Sequence, residues 1–158
     1  MGKWRALLRN KSVVKKILFV AYTIFIVWYT LLKREPQDYR IFIPELFWAI
    51  RTWITGGYNG KAESILYFMN ILFFIPYGLL FPWEEKNGKL SWKSVLIAAV
   101  ITSALIELSQ YLFALGECEF DDIISNTLGA IIGYGIINHK KITHSLDRER
   151  EEKGEDNT

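Results

Sequence analysis

An apolar run of twenty-two residues at 94–115, SVLIAAVITSALIELSQYLFAL, contains a single carboxylate, Glu107. An α-helix of this length spans the hydrocarbon core of a bilayer, which is ~30 Å thick, because each residue adds ~1.5 Å. A carboxylate inside such a span is costly, so it normally faces other helices or a water-filled cavity. The run therefore predicts a membrane-crossing helix with a functional group in its interior.

Three further runs approach the length of a membrane span. Apolar residues dominate 17–32 and 65–83, and a less apolar run follows at 122–138. Together with a span at 95–115, they predict an all-α integral membrane bundle of four transmembrane helices at 17–138. The charged residues directly after the first run include no small-residue cleavage site, so this run is predicted to be an uncleaved anchor rather than a signal peptide.

Basic residues predict the orientation of these spans, since cytoplasmic segments of membrane proteins are enriched in Lys and Arg. Residues 1–16 contain six basic residues and no acid, and the loop at 84–94 and the tail at 139–158 also have lysines near the spans. The loop at 116–122 instead contains four acids and no base. Both termini are therefore predicted to be cytoplasmic, with the loop at 33–64 outside and the charged tail frayed or disordered.

The predicted outer loop contains an aromatic segment, RIFIPELFWAIRTWI at 40–54, that is too short and too charged to span the membrane. Its apolar side chains predict an outer interfacial helical segment that lies in the headgroup layer or dips into it. Arg40 and Arg51 are then candidates to bind a phosphate headgroup. The alternative is a passive interfacial helix without a ligand.

Polar side chains recur at helical spacing inside the third and fourth spans. Ser103, Glu107 and Gln110 lie at i, i+4 and i+7, so they share one face of a helix. Asp122 and Asn126 share a face of the last span in the same way. The predicted orientation puts both groups in the outer half of the bundle, where they would line one pocket.

Residues outside these two faces extend the predicted pocket. Asn70 lies in the outer third of the second span, and Glu119 lies one helical turn before the acidic start of the fourth. Gly129 and Gly133 are spaced so that another helix can pack closely against them, which makes this face a candidate partner interface. The alternative for the whole cluster is structural, with polar groups that only hydrogen-bond between helices.

The supply of metal-ligating and nucleophilic residues restricts the chemistry. Cys118 is the only cysteine, and both histidines, His139 and His144, lie in the tail, so no metal, cofactor or disulfide is predicted. Cys118 also has no neighbouring base to lower its pKa, which disfavours a nucleophilic role. Topology explains the basic N-terminus, so no nucleic-acid partner is predicted.

Several stretches of the chain resemble the VanZ-like family of small bacterial membrane proteins. The matching stretches are NILFFIPYGLLFP at 70–82, ALIELSQ at 104–110 and ECEFDDIISNTLGAIIGYG at 117–135, with a weaker match in RIFIPELFWAI at 40–50. Together they cover about 40–138, and the resemblance implies a protein of the bacterial plasma membrane. Carried over by position, it points to ten residues: Asn70, Pro76, Gly78, Glu107, Gln110, Glu119, Asp122, Asn126, Gly129 and Gly133.

The resemblance has one departure and one functional implication. Many family members have an arginine just before the acidic segment, where this chain has Glu117. If that arginine neutralises the acidic cluster or binds an anion in relatives, either Arg40 or Arg51 replaces it here or the role is absent. The family takes its name from a protein associated with teicoplanin resistance, which implies work at the outer face of the cell envelope without naming a reaction.

Three functions are compatible with these patterns. The first is binding of an envelope lipid or a glycopeptide in the outward-facing pocket, which contributes to teicoplanin-type glycopeptide tolerance. The second is a membrane enzyme acting on a lipid-linked envelope substrate, with Glu107 and Asp122 as acid and base. The third is a structural membrane subunit whose polar groups hold the bundle together. The predicted ligand contacts are Asn70, Glu107, Gln110, Glu119, Asp122, Asn126, Arg40 and Arg51.

Overall fold

The computed structural model describes residues 2–57, 60–82 and 91–155, with side chains described from 13 to 57, 60 to 82 and 91 to 139 and at 143. Helices make up most of this part of the chain. In order, the elements are α1 (Gly2–Val27), which continues as a π-helical segment (Trp28–Leu32), β1 (Ile41–Ile43), α2 (Trp48–Ile54), α3 (Gly60–Leu80), α4 (Trp92–Phe113), β2 (Glu117–Glu119) and α5 (Phe120–Glu155).

Three helical segments among the described residues are long and apolar enough to cross a membrane: Val13–Leu32, Gly60–Leu80 and Trp92–Phe113. They overlap the first three predicted spans, and they identify the chain as a multi-pass membrane protein. α5 contains the fourth predicted span but is not among the three. The predicted end of the second span at 83 and most of the loop predicted at 84–94 lie outside the described residues.

α1 lies at the edge of the helical bundle. In its apolar segment 6% of the residues are buried inside the protein, against 28% for α3 and 33% for α4. Ile26 is fully buried and belongs to the same core cluster as Phe74 of α3 and Ile106 of α4. The Tyr22 hydroxyl also donates a 2.7 Å hydrogen bond to the carbonyl of Phe73, which attaches α1 to α3. Most of the surface of the Val13–Leu32 segment therefore faces away from the protein.

α3 and α5 pack closely against each other, and glycines permit the close approach. A Cβ atom added at Gly129 or Gly133 would lie 2.1 Å from the carbonyl oxygen of Ile71 or Ile75, respectively, far inside van der Waals contact. Gly78 of α3 faces α5 in the same way, since a Cβ there would lie 2.0 Å from a backbone oxygen of α5. The helix that approaches the glycine pair of α5 is therefore α3 of the same chain.

A small parallel sheet departs from the all-α prediction. β1 pairs with β2, with Ile41 opposite Glu117 and Ile43 opposite Glu119. Gly116 precedes β2 with a φ of +154°, a conformation that favours glycine. Because each strand is three residues long, neither contains enough alternation to be recognised as a strand in the sequence.

The aromatic segment predicted at 40–54 forms β1 and α2. α2 begins after Phe47, whose φ of 57° is left-handed, and it packs against α3. Ser64 of α3 donates a 3.0 Å hydrogen bond to the carbonyl of Ala49. Leu46 and Trp53 remain more than half exposed. The segment is thus attached to the bundle and still presents apolar side chains at its surface.

The backbone of α5 continues as a helix to Glu155, so it includes most of the tail predicted at 139–158. Residues 156–158 lie outside the described part of the chain. The side of the membrane that the tail occupies stays a prediction, and so does the boundary between the membrane domain and the tail.

Candidate functional site

The polar face of α4 points into the protein. Ser103 is fully buried, and Glu107 and Gln110 are each 2% exposed. Leu105 and Leu108, on the other side of the helix, are 59% and 51% exposed. The helical period therefore puts these polar side chains on the inner face of α4, together with apolar ones such as Ile106, and leaves an apolar outer face.

A cavity of about 330 Å³ lies between the helices, and we call it the apolar cavity because α1, its continuation and α3 give it a mainly apolar wall. Ile26, Tyr29 and Phe73 belong to that wall. A cavity of this size, in which polar groups converge beside an apolar wall, is typical of small-molecule sites. Five of the residues predicted to bind a ligand also line it: Asn70, Glu107, Gln110, Asp122 and Asn126.

Hydrogen bonds fix the polar groups that α4 and α5 contribute to this cavity. Asn126 Nδ2 donates to Ser103 Oγ at 2.9 Å, which links α5 to α4. Glu107 Oε2 accepts a 3.0 Å hydrogen bond from the backbone N–H of Glu119, which links α4 to β2. The buried carboxylate of Glu107 is therefore held in place by the backbone of the acidic segment.

A second cavity, of about 310 Å³, adjoins the first at the end where α3 and α5 begin. We call it the polar cavity, because Glu63, Glu117 and Glu119 contribute to its wall. Asn70 and Asp122, whose side chains are hydrogen-bonded to each other, line both cavities. The two cavities together form a cleft with an apolar end and a polar end.

Arg34 lies at the junction of the two cavities, and the sequence patterns did not single it out. Its Nη1 donates a 3.4 Å hydrogen bond to the carbonyl of Leu115. The guanidinium also lies so close to Gly116 that a Cβ there would be 2.0 Å from Nη1. Its positive charge interacts with the carboxylates of Glu107 and Asp122. The acidic cluster therefore has a cationic neighbour.

Arg40 and Arg51, the arginines predicted to contact a ligand, lie elsewhere. Arg40 Nη2 donates a 3.2 Å hydrogen bond to the carbonyl of Leu112, and Arg51 is exposed on α2. Neither is among the described residues that line the two cavities, and Arg34 supplies the positive charge expected from them. The sequence did contain a clue to Arg34. This residue directly follows the first predicted span, and the predicted topology puts that end of the span on the same side of the membrane as the acidic segment at 116–122.

Asp121, which the sequence patterns also missed, attaches the α2 segment to α5. Its carboxylate is fully buried and accepts hydrogen bonds from the backbone N–H of Phe47 and, at 3.4 Å, from that of Ala49. The first N–H groups of a helix have no partner within the helix, so this carboxylate acts as a cap for α2. Its role is therefore structural.

Glu119 lines the polar cavity and also contacts the α2 segment. Trp48 Nε1 donates a 2.7 Å hydrogen bond to Glu119 Oε2. Burial, followed by the negative charge of Asp122, raises the pKa of Glu119 to about 7 despite this hydrogen bond. The charge of the polar cavity therefore changes near neutral pH.

Cys118 lies in β2 beside these acids. Burial, followed by the negative charges of Glu107 and Asp122, raises the pKa of its thiol. A protonated thiol is a poor nucleophile. Among the described residues, no group of three or more His, Cys, Asp or Glu side chains is placed to hold a metal ion. The groups that the described part of the cleft offers a ligand include carboxylates, amides, hydroxyls, the guanidinium of Arg34 and the ammonium of Lys33.

Comparison with known proteins gives the family of the chain. A family model described as VanZ/LLP1 matches residues 19–141, a region that includes every residue lining the cleft. The chain belongs to the VanZ/LLP1 family. It is 26% identical over 140 residues to Protein VanZ of Enterococcus faecium, and the alignment covers 87% of this chain and 83% of that protein. No solved structure gives a significant match.

Membership of the VanZ/LLP1 family confirms the resemblance drawn from the sequence stretches. The matched region begins within α1 and ends within α5, so it is longer than the 40–138 to which the resemblance was assigned. The additional residues 19–39 include Arg34 and the part of α1 that lines the apolar cavity. The roles of the individual cleft residues in binding stay predictions.

Proposed function

We propose that this VanZ/LLP1 member spans the bacterial plasma membrane four times and binds an envelope amphiphile, a lipid or a glycopeptide, in the cleft. In this proposal α5 is the fourth span, and β1, β2 and α2 lie at the outer face. Binding of the amphiphile contributes to tolerance of teicoplanin-type glycopeptides.

The distribution of charge supports a cleft that faces outward. Residues 1–16 contain six basic residues and no acid, which favours a cytoplasmic N-terminus. With that orientation, the end of the first span next to Arg34 lies outside. The starts of α3 and α5 then also lie outside, and a fourth crossing returns the C-terminus to the cytoplasm.

The main support for the proposal is that one cleft has both a polar end and an apolar end. Glu107, Gln110 and Asn126 are almost fully buried in helices whose other faces are apolar, and polar groups are expensive to keep at such positions without a partner. Phe73 and Tyr29 supply an aromatic wall to the same cavity. An amphiphile has one part for each kind of surface.

Family membership supports the part of the proposal that concerns glycopeptides. The chain aligns with Protein VanZ over most of both proteins, so the two share the region that contains the cleft. A protein that binds an envelope amphiphile at the outer face would act where glycopeptides meet their target. The proposal therefore joins a binding site to an envelope phenotype without requiring a chemical reaction.

Drug susceptibility tests the proposal. The gene is expressed in a glycopeptide-susceptible host, and the minimum inhibitory concentration of teicoplanin is measured at equal membrane levels of wild type, Glu107→Gln and Glu45→Gln. Glu45 is an exposed acid outside the cleft, so its variant controls for the loss of a carboxylate. We expect tolerance with wild type and Glu45→Gln and its loss with Glu107→Gln.

Equal susceptibility with and without the gene, at verified expression, would rule out the proposed function. Full tolerance with Glu107→Gln would separate the phenotype from the buried carboxylate and thus from the cleft.

A membrane enzyme acting on a lipid-linked substrate is the second candidate, because Glu107 and Asp122 line the same cavity. Two carboxylates in different surroundings can divide the roles of acid and base. Turnover of a lipid-linked envelope precursor by the purified protein, abolished in Glu107→Gln, would favour this alternative over binding.

A further inference from the structure

Gln110 leaves one polar atom unused beside the apolar cavity. The side chain is 2% exposed and lines that cavity. Its Nε2 donates a 3.3 Å hydrogen bond to the carbonyl of Thr30, which fixes the amide, because a flipped amide would bring two oxygens together. Among the described residues, none donates a hydrogen bond to the buried Oε1. A buried acceptor is unfavourable unless a donor reaches it.

The neighbouring side chains of the apolar cavity contribute several acceptors beside their amide donors. The amide of Asn126 donates to Ser103, and the amide of Asn70 donates to Asp122. Each of the carboxylates of Glu107 and Asp122 has lone pairs for several hydrogen bonds. A ligand that satisfies Gln110 Oε1 therefore has to bring a hydrogen-bond donor, and the carboxylates can accept further hydrogen bonds.

The cations of the apolar cavity lie at its polar end. Lys33 and Arg34 follow Thr30 by about one helical turn, and Lys33 Nζ lies 5.0 Å from the centre of the Tyr29 ring. A phosphate would bind at these cations, but its oxygens could not donate to Gln110. Hydroxyl groups can bind both beside Gln110 and at the cationic end, because they donate to amide and carboxylate oxygens and accept from a guanidinium.

The cleft also has a route for an alkyl chain. Leu66 and Met69 of α3 line the apolar cavity and are 59% and 43% exposed, so the cavity wall continues onto the outer surface of the helix. The Val13–Leu32 segment, which packs against α3 beside this surface, is mostly unburied. A chain lying between α1 and α3 would therefore contact both the cavity and the surrounding lipid.

We infer that the cleft binds an amphiphile with a hydroxyl-rich, sugar-type headgroup, with Gln110 Oε1 accepting a hydrogen bond from one hydroxyl and the alkyl chain lying against α3. This inference rests on the proposed binding of an amphiphile and names its chemical class. Two sources share this chemistry: a membrane glycolipid and the acylated sugar of a lipoglycopeptide.

The first test compares two probes on the wild-type protein in phosphatidylcholine nanodiscs. One is an alkyl glucoside, and the other is the same glucoside with every hydroxyl methylated, which keeps the oxygen acceptors and removes the donors. Retention of each probe is measured by native mass spectrometry after release from the nanodisc. We expect the free glucoside to be retained about tenfold better, the effect of one buried hydrogen bond.

Equal retention of the two probes, or retention of neither, would overturn the inference. The second result would mean that the unused oxygen of Gln110 meets water only.

A variant pair then tests the contact itself. Gln110→Met keeps the side-chain length but removes the acceptor, and we expect it to lose the preference for the free glucoside. Ser109→Ala is the matched control, because Ser109 Oγ is bonded to the carbonyl of Leu105 outside the cleft. If Gln110→Met keeps the preference, Gln110 is not the acceptor and the inference fails. If this variant does not fold, the comparison of the two probes on wild type remains decisive.

Competition distinguishes the two sources. The wild-type protein is loaded with glucosyl diacylglycerol, and teicoplanin is added. Displacement of the glycolipid would assign the site to the drug as well, and continued retention would assign it to the membrane lipid alone.

The inference and the proposed function can fail separately. Unchanged teicoplanin susceptibility together with an intact hydroxyl preference would remove the proposed function and leave the inference. Changed teicoplanin susceptibility without a preference for the free glucoside would leave the proposed function and remove the inference.

Discussion

Replacing Gly133 by alanine is expected to push α3 away from α5. The new Cβ would lie 2.1 Å from the carbonyl oxygen of Ile75, whereas Cβ atoms in ordinary van der Waals contact lie 3.4–4 Å from their neighbours. The obstacle is backbone rather than a flexible side chain, so it cannot rotate away. The two helices would therefore have to separate by roughly 1 Å, which loosens the packing along their shared face.

The size of the effect follows from this geometry. Forcing extra volume into a packed interface typically costs about 1–3 kcal/mol, and we expect Gly133→Ala to fall in that range. For a chain of this length, each 1 kcal/mol lowers the midpoint of thermal unfolding by about 2–4 °C. Gly129→Ala should behave alike, since its Cβ would lie 2.1 Å from the carbonyl oxygen of Ile71.

Thermal unfolding of the purified protein, followed by tryptophan fluorescence in one mild detergent, measures this effect. Gly135→Ala is the control on the same helix, because a Cβ there would meet no atom within 4 Å. We expect the control to unfold at or slightly above the wild-type temperature, since alanine favours a helix over glycine. If Gly133→Ala were as stable as Gly135→Ala, the close contact of α3 and α5 would be wrong.

Two further predictions concern the polar end of the cleft. Asp121→Ala removes the cap of α2 and should cost about 1–3 kcal/mol locally, so hydrogen exchange at the amides of Phe47 and Ala49 should accelerate; unchanged exchange would contradict the assigned hydrogen bonds. Because the folded protein raises the pKa of Glu119 from its ordinary 4.5 to about 7, it binds this proton more tightly than the unfolded chain, and stability should fall as pH rises between these values. Glu119→Gln should flatten that dependence while it still accepts the hydrogen bond from Trp48, and an identical slope in both proteins would count against the raised pKa.

The features that the sequence predicted are those that repeat at helical spacing. Ser103, Glu107 and Gln110 follow the period of an α-helix, so their common burial could be predicted without knowing what packs against them. The small residues Gly129 and Gly133 likewise indicated a close helix, although they could not say which helix it is. The three apolar spans could also be predicted locally, because the length of each apolar run can be compared with the thickness of the bilayer core.

The features that the sequence did not predict depend on contacts between distant segments. Asp121 meets a backbone N–H that is 74 residues away in the chain, and Arg34 meets a carbonyl 81 residues away. Asp121 and Asp122 also differ by about 100° around the helix, so adjacent acids take different partners. The helical spacing between Asp122 and Asn126 pointed to Asp122 as a site residue. The same spacing contained no information about the α2 segment, which supplies the partners of Asp121.

The exposed position of α1 has a consequence for how the protein can be studied. The apolar segment that begins in α1 shares few buried residues with the rest of the chain, so a small set of contacts such as the hydrogen bond of Tyr22 to Phe73 holds it against α3. The thickness of the surrounding lipid can change the tilt of this segment. The width of the apolar cavity between Tyr29 and Met69 then depends on the surrounding membrane as well as on the protein. Micelles of different chain length should give different ligand affinities for one and the same polypeptide.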